Sequence, residues 1–369
     1  MKRVSDITTF NEFKTQADEH ALPIIEKAVN ELFERPEMAE QRKAEKQRIL
    51  FICLAILGFV LGVLFGFASL SVQNTAGKVA LQIFGAIFLI PGIVFAVLAS
   101  SKAKLISRLK AQLNSFLIAN LQPHNLYKEI ISKINPNWEY FGNRFVPDNI
   151  ANGFDSKDRV FTKDEYLITK PTPIPNSAHL YQVNEVKSIV LDKKYPVHVG
   201  NHKWEQIIER TDRQGNVYYE KHYFDAVTIK VDIRALEEYK RTDFSMFRKK
   251  WIGGKRIEFE NDKFNNVFNI EAMDELRIRT YFTVLAQENL LKLYTENLEY
   301  TCSRYISVRA VDDVIYFSFM APEGFMDIDI PKKFHTVDST VKTIYKDILL
   351  DIYTVSFMLQ LVYVPVYLY

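Results

Sequence analysis

The sequence predicts an α+β protein built on a two-helix transmembrane hairpin, with flanking cytoplasmic helices and a C-terminal cytoplasmic domain of mainly antiparallel sheet and two long helices. Three observations predict it. Two uncharged apolar runs stand side by side, Ile49 to Gly77 and Val79 to Ser101, with Lys78 alone between them. Helical periodicity flanks both runs. From about residue 135 onward, strand-like runs punctuated by turn residues alternate with long helical stripes. The organisation that follows is an N-terminal helical arm over 1–48, the hairpin over 49–101, a helical stalk over 102–134 and the α+β domain over 135–369.

Composition excludes some classes. The 369 residues carry 47 Lys and Arg against 45 Asp and Glu, a net charge of +2, so the chain as a whole lacks the basic excess of a nucleic-acid binder. The two cysteines, Cys53 and Cys302, lie far apart and supply neither a disulfide framework nor a metal spacing, which fits a reducing compartment. The first 40 residues are polar and of mixed charge, with no apolar core of a secretory signal, so the apolar runs are expected to be retained.

The arm comes first. Thr9-Phe-Asn-Glu12 has the form of a capping box, and Leu22, Ile25, Val29, Leu32 and Phe33 recur at helical spacing. Pro23 and Pro36 mark breaks or kinks. A bilayer core about 30 Å thick takes roughly 20 apolar residues as helix. Leu50–Leu70 and Val79–Leu98 both meet that length, and only helix satisfies the backbone in hydrocarbon. The short connector 71–78 makes the two helices antiparallel neighbours. Arg42, Lys43, Lys46 and Arg48 precede the pair and Lys102, Lys104, Arg108 and Lys110 follow it, which places both termini in the cytoplasm.

Gly58, Gly62 and Gly66 recur every four residues on the first helix. They allow close approach either of the hairpin's own second helix, through Gly85 and Ala86, or of another copy in a homo-oligomer. Pro91 is expected to kink the second helix. With Gln82 as the strongly polar side chain and no ionisable residue at depth, a pump or coupled transporter is disfavoured. Beyond the membrane, Leu105, Leu109, Leu113, Phe116, Leu117 and Leu121 form a stripe expected to pack on the N-terminal arm, and a further short helix spans 126–134.

In the last domain, strands are predicted at 178–190, 216–231, 256–260, 304–309 and 314–320. Hairpin turns are expected at 212–216 and 310–313, and helices at 274–297 and 336–361. The tail 362–369 is too apolar to float in water and should dock on the sheet, the membrane or a partner. His198, His202, Glu205 and Glu209 could ligate a metal only on a helix, and Pro196 and Gly200 favour a loop, so no metal is expected. Cys302 with His335 lacks a third catalytic group. Gly253-Gly254-Lys255 does not complete a phosphate loop. No cofactor and no catalytic residue is expected.

Residues 239–256 hold seven basic side chains against Asp243, interleaved with aromatics. Arg248, Lys249, Lys250, Trp251, Lys255 and Arg256 are the candidates there for contact with anionic lipid headgroups or a partner. The alternative is an ordinary solvated face.

The stretch Phe259-Glu-Asn-Asp-Lys-Phe264-Asn265-Asn-Val-Phe268, followed by Asp274 and a helix, resembles a bacterial membrane family catalogued as domain of unknown function 3137. Glu260, Phe264, Phe268, Asp274, Arg279 and Leu290-Leu291 fit its pattern. Tyr281 stands two residues after Arg279 rather than beside it, and Phe325-Met-Asp327 replaces the usual Phe-Glu. The resemblance covers about 120 residues near the C-terminus. It implies a cytoplasmic domain anchored in a bacterial inner membrane, no known reaction, and a LemA-like membrane protein as partner. The leading expectation is a non-enzymatic scaffold or assembly module, followed by a homo-oligomeric channel and an enzyme of unrecognised type. The expected partners are the lipid bilayer and either a second copy or a second membrane protein, with no nucleic acid.

Overall fold

The computed structural model describes residues 8–144, 146, 150, 160–247, 253–322 and 324–367. The chain divides into two compact units. One holds residues 26–122. The other joins 1–25 to 123–369.

The helices of the first part are α1 (Phe10–His20), α2 (Leu22–Glu34), α3 (Pro36–Ser71), α4 (Thr75–Leu121) and α5 (Pro123–Ile134). The Thr9 hydroxyl accepts from the Glu12 N–H and the Glu12 carboxylate from the Thr9 N–H, the expected capping box. The break before Pro36 falls at Arg35, whose backbone is extended as a residue ahead of a proline favours, whereas Pro23 sits in the first turn of α2, after a break at Ala21. Pro91 is accommodated within an unbroken α4.

In unit 26–122, α3 and α4 pack along each other in opposite directions. Phe51 meets Phe95 and Phe65 stacks on Phe88, with ring centroids 6.0 and 5.6 Å apart. Gly58 and Gly62 are the close-approach points. A Cβ on Gly58 would lie 2.9 Å from both the Gly92 Cα and the Phe88 carbonyl oxygen, whereas one on Gly66 meets nothing within 4 Å. Gly58→Val is therefore expected to force the helices apart, at about 2 kcal/mol, while Gly66→Val leaves their packing unchanged. Dyes on Arg48 and Lys102, followed by energy transfer through an SDS titration, measure the difference. Near the helix ends, the Arg35 guanidinium lies 4.4 Å from the Phe116 ring centre and Asn120 Nδ2 donates to Glu31 at 3.0 Å, joining the two arms.

The second unit is built on β1 (Trp138–Gly142), β2 (His179–Val183), β3 (Lys187–Leu191), β4 (Tyr195–Thr211), β5 (Val217–Asp232), β6 (Phe244–Met246), β7 (Lys255–Arg256), β8 (Glu271–Ala272), β9 (Arg304–Val311) and β10 (Val314–Met320). They form one antiparallel sheet in the order β1-β3-β4-β5-β10-β9-β6-β8-β7, with β2 on β4. The helices are α6 (Lys163–Ile168), α7 (Asp262–Phe268), α8 (Glu275–Tyr281), α9 (Val284–Asn297) and α10 (Val337–Tyr367).

Side chains alternate between the two faces of a strand. Tyr195, Val231, Ile315 and Phe317 lie on one face, against Leu359, Val362 and Val366 of α10. On the outer side of α10, Tyr353 meets the rings of Phe10 and Phe13 from α1. Helix α10 is thus a core helix between sheet and helices. The opposite sheet face is covered by Phe161, Tyr166, Ile174 and Ala178, packed around Trp204 and Ala226.

Several sequence expectations are corrected. The 178–190 strand is two strands, β2 and β3. The 256–260 strand shortens to Lys255–Arg256. The helix expected over 274–297 is two helices, because Thr283 caps a fresh start by accepting from the Ala286 N–H. The apolar tail is the end of α10, which runs on to Tyr367. The loop expected around Gly200 is β4. Gly200 is there for room, since a Cβ would sit 2.8 Å from the Tyr166 hydroxyl.

Candidate functional site

Strand β4 separates the residues that a helix would have gathered into a metal site. His198 and His202 point to the face under α6, whereas Glu205 and Glu209 project from the other face. Both histidines are buried and engaged. His198 Nδ1 lies 2.9 Å from the Ser188 hydroxyl. Trp204 Nε1 donates to His202 Nδ1 at 2.8 Å, and an indole nitrogen can only donate. The neutral ring therefore carries its proton on Nε2, 3.0 Å from the Thr228 hydroxyl. Thr228 and Thr169 hydroxyls meet at 3.1 Å, and Thr169 closes the chain on the Glu165 carbonyl at 2.7 Å. Burial pushes the His202 pKa down to about 3. This chain fixes the tautomer and holds α6 on the sheet. It offers no open coordination position.

Across the sheet, α10 carries two carboxylates one turn apart. Asp351 accepts from the Tyr127 hydroxyl at 3.0 Å and from the Met326 N–H at 2.7 Å, and Asp347 accepts from the Asp329 N–H at 2.8 Å. Burial, then the neighbouring Asp347, drives Asp351 well above the usual carboxylate range. Burial also lifts Asp347 to about 7, assisted by Asp329 and Asp327. Together they tie α5 and the segment 324–329 to α10. The Cys302 thiol sits beside Thr354, 3.3 Å from its hydroxyl, and 3.9 Å from Asp351. Burial, then Asp351, pushes the thiol up to about 12, the opposite of an activated nucleophile.

An open polar cleft of about 400 Å³ lies between β9, α8 and the segment after β5. Within it, Arg241 pairs with Asp313 at 2.7 Å, and Arg277 donates to the Arg241 carbonyl at 3.2 Å. Of the described basic residues of 239–256, Lys240 pairs with Glu237 and Arg241 with Asp313. Arg248, Lys249, Lys250 and Trp251 lie outside the described residues. Lys255 and Arg256 form the exposed end strand, and Gly254 lies against the backbone of Ala272 rather than around a phosphate.

The motif residues near 264 are structural in their contacts. Phe264 and Phe268 are fully buried and stacked with centroids 4.6 Å apart, beneath an Asn261 cap. Asp274 caps α8, and Arg279 bonds Glu275 and the Glu258 carbonyl. Glu260 is exposed.

One feature of this unit goes beyond the sequence reading of a long strand over 216–231 with a turn at 212–216. The β10 ladder on β5 ends at Ala226 and β2 leaves β4 at Glu205, yet β4 and β5 stay paired from Gln206↔His222 out to Thr211↔Val217. Their outer halves form a two-stranded ribbon, closed by a turn in which Asp212 accepts from the Gln214 and Asn216 N–H groups. Its signal was the length of the 216–231 run, which exceeds the mean strand of about 5–6 residues. Comparison of the chain with models of protein families, with curated proteins and with solved structures finds no match.

Proposed function

We propose that the chain is a membrane-anchored, non-enzymatic scaffold or assembly module. In this reading α3 and α4 cross a bacterial inner membrane as a hairpin, and both termini and the α+β unit stand on the cytoplasmic side. One observation carries it. Among the described residues three helices are long and apolar enough to cross a membrane, but only 11% and 17% of the apolar windows of α3 and α4 are buried, against 89% for α10. Leu57, Val60, Leu64, Ile83, Ile87 and Ile90 face outward over the lengths that match a bilayer. An exposed apolar surface of that extent needs lipid or protein over it. Helix α10 has its cover already.

The basic residues flanking the pair support the orientation. The likeness to domain of unknown function 3137 supports the same arrangement and adds a LemA-like membrane protein as a class of partner. The buried histidine chain and the neutralised Cys302 favour assembly over catalysis as the role of the α+β unit. Alkaline extraction of native membranes tests the anchor. The full-length chain is expected to stay in the membrane pellet, and release into the supernatant would overturn the reading. Crosslinking before mild-detergent purification then tests the module, with a partner chain or a second copy expected at fixed stoichiometry.

A further inference from the structure

The two faces of the β4–β5 ribbon differ in kind. Residues opposite each other across an antiparallel ladder share a face, and successive pairs alternate. On one face, Glu220 pairs with Arg210 at 3.1 Å and with His222 at 2.9 Å, an ordinary solvated arrangement. On the other, Glu205 is 5% exposed at its side chain and is covered by Lys221 at 3.0 Å, His179 at 3.3 Å and the Tyr223 hydroxyl at 2.8 Å. That cluster neutralises the base of the face and fixes the Tyr223 ring, which lies 5.3 Å from Tyr181. Outward from it run Ile207, Tyr219 and Val217, exposed by 48%, 64% and 54%.

We propose that this face is a homotypic docking surface, occupied in the membrane by the same face of a second copy of the chain. The proposal rests on the reading of the chain as a membrane-anchored assembly module. Three arguments select a second copy. The first is area. Three half-exposed tyrosines with Ile207 and Val217 offer roughly 500 Å² per copy, so two faces bury about 1,000 Å², the lower limit for a specific interface. The second is charge. When two ribbons pack antiparallel about a two-fold axis, the row holding Lys221 in each copy faces the row holding Glu209 in the other, twice over. Lys221 is bonded to Glu205 of its own copy but its side chain stays 53% exposed, so its remaining ammonium donors reach the other copy's Glu209. The third is concentration. Anchors in one bilayer hold both domains on one side and raise their effective concentration, so a face of modest area suffices.

Disulfide trapping in native membranes tests this, using the full-length chain with Cys53→Ser. Tyr219→Cys places a thiol on the proposed face, and Tyr218→Cys places one on the opposite face of the same ribbon, where Tyr218 is 52% exposed. Mild oxidation is expected to give a covalent dimer of Tyr219→Cys, several-fold more than of Tyr218→Cys. A photoreactive residue at position 219 is expected to label a second copy. Equal trapping at both positions, no dimer from either, or labelling of lipid or of a different protein would overturn the proposal. Alkaline extraction of the same samples separates the two readings. A chain that stays in the pellet without a Tyr219→Cys dimer refutes the ribbon contact alone, whereas release into the supernatant removes the anchor and the proposal with it.

Discussion

Asp351→Ala is expected to destabilise the α+β unit by about 3–5 kcal/mol. The reason is the geometry around a carboxylate buried in the core. The Tyr127 hydroxyl and the Met326 N–H both donate to Asp351, and both are enclosed by protein. Alanine leaves two buried donors without an acceptor, each costing about 1–3 kcal/mol, and opens a cavity beside Cys302. Asp351→Asn separates this from a need for charge. Burial and Asp347 favour the neutral acid, and an amide oxygen can accept both bonds, so the asparagine variant is expected to lose only about 1 kcal/mol. Urea unfolding in mild detergent, followed through the buried Trp204, gives both values. A large loss in Asp351→Asn equal to that of alanine would mean that the carboxylate is held charged.

The second large effect is a loss of stability in acid, traced to His202. Its folded pKa is depressed to about 3 from the usual 6.5. Below 6.5 the unfolded chain takes up a proton on this ring that the folded chain refuses until pH 3. The contribution is therefore complete above about pH 6.5 and is lost as pH falls toward 3, roughly 5 kcal/mol in all. Asp347 acts in the opposite sense. Its folded pKa is raised to about 7, so its contribution is complete below about pH 4 and is lost as pH rises through 7. Between pH 4 and 6.5 the two trends oppose each other in the parent. His202→Gln is expected to flatten the acid limb, and Asp347→Asn to flatten the loss toward pH 7. Unfolding curves of the three proteins across pH 3–8 check the signs, and a His202→Gln protein that retains the parent's full acid limb would contradict the assignment.

Much of the architecture was legible because its signals are local. The uncharged runs, the proline breaks, the Thr9–Glu12 capping box and the 212–216 turn each depend on a few adjacent residues. They recur in the structure as expected. What was not legible depended on tertiary partners. Gly200 and Pro196 read as loop, yet they lie in a central strand because the Tyr166 ring needs the space above Gly200. The Thr283 restart inside an otherwise continuous leucine pattern was hidden because leucine spacing persists across the break. Helix α10 is also long and apolar enough to cross a membrane, but it carries Lys346, Asp347 and Asp351 and is packed on the sheet, in line with the sequence reading of 336–361 as a helix of the α+β domain. The ribbon is the clearest case. Alternation over 216–231 predicts a long strand, but where the sheet stops and the ribbon begins is decided by where β10 and β2 end. The glycines divide in the same way. Spacing alone left two partners open for Gly58, Gly62 and Gly66, and the structure seats the first two against α4 while Gly66 stays open.

The membrane anchor is tested most directly by labelling single cysteines with an impermeant maleimide, in protein carrying both Cys53→Ser and Cys302→Ser, in inverted and right-side-out membrane vesicles. Val60→Cys and Ile87→Cys, at mid-helix, are expected to stay unlabelled in both. Asn74→Cys, in the connector, is expected to label only from the outside, and Tyr218→Cys, on the ribbon, only from the cytoplasmic side. Labelling of the mid-helix positions from water, or of Asn74→Cys and Tyr218→Cys from the same side, would contradict a hairpin that crosses the bilayer and holds the α+β unit in the cytoplasm.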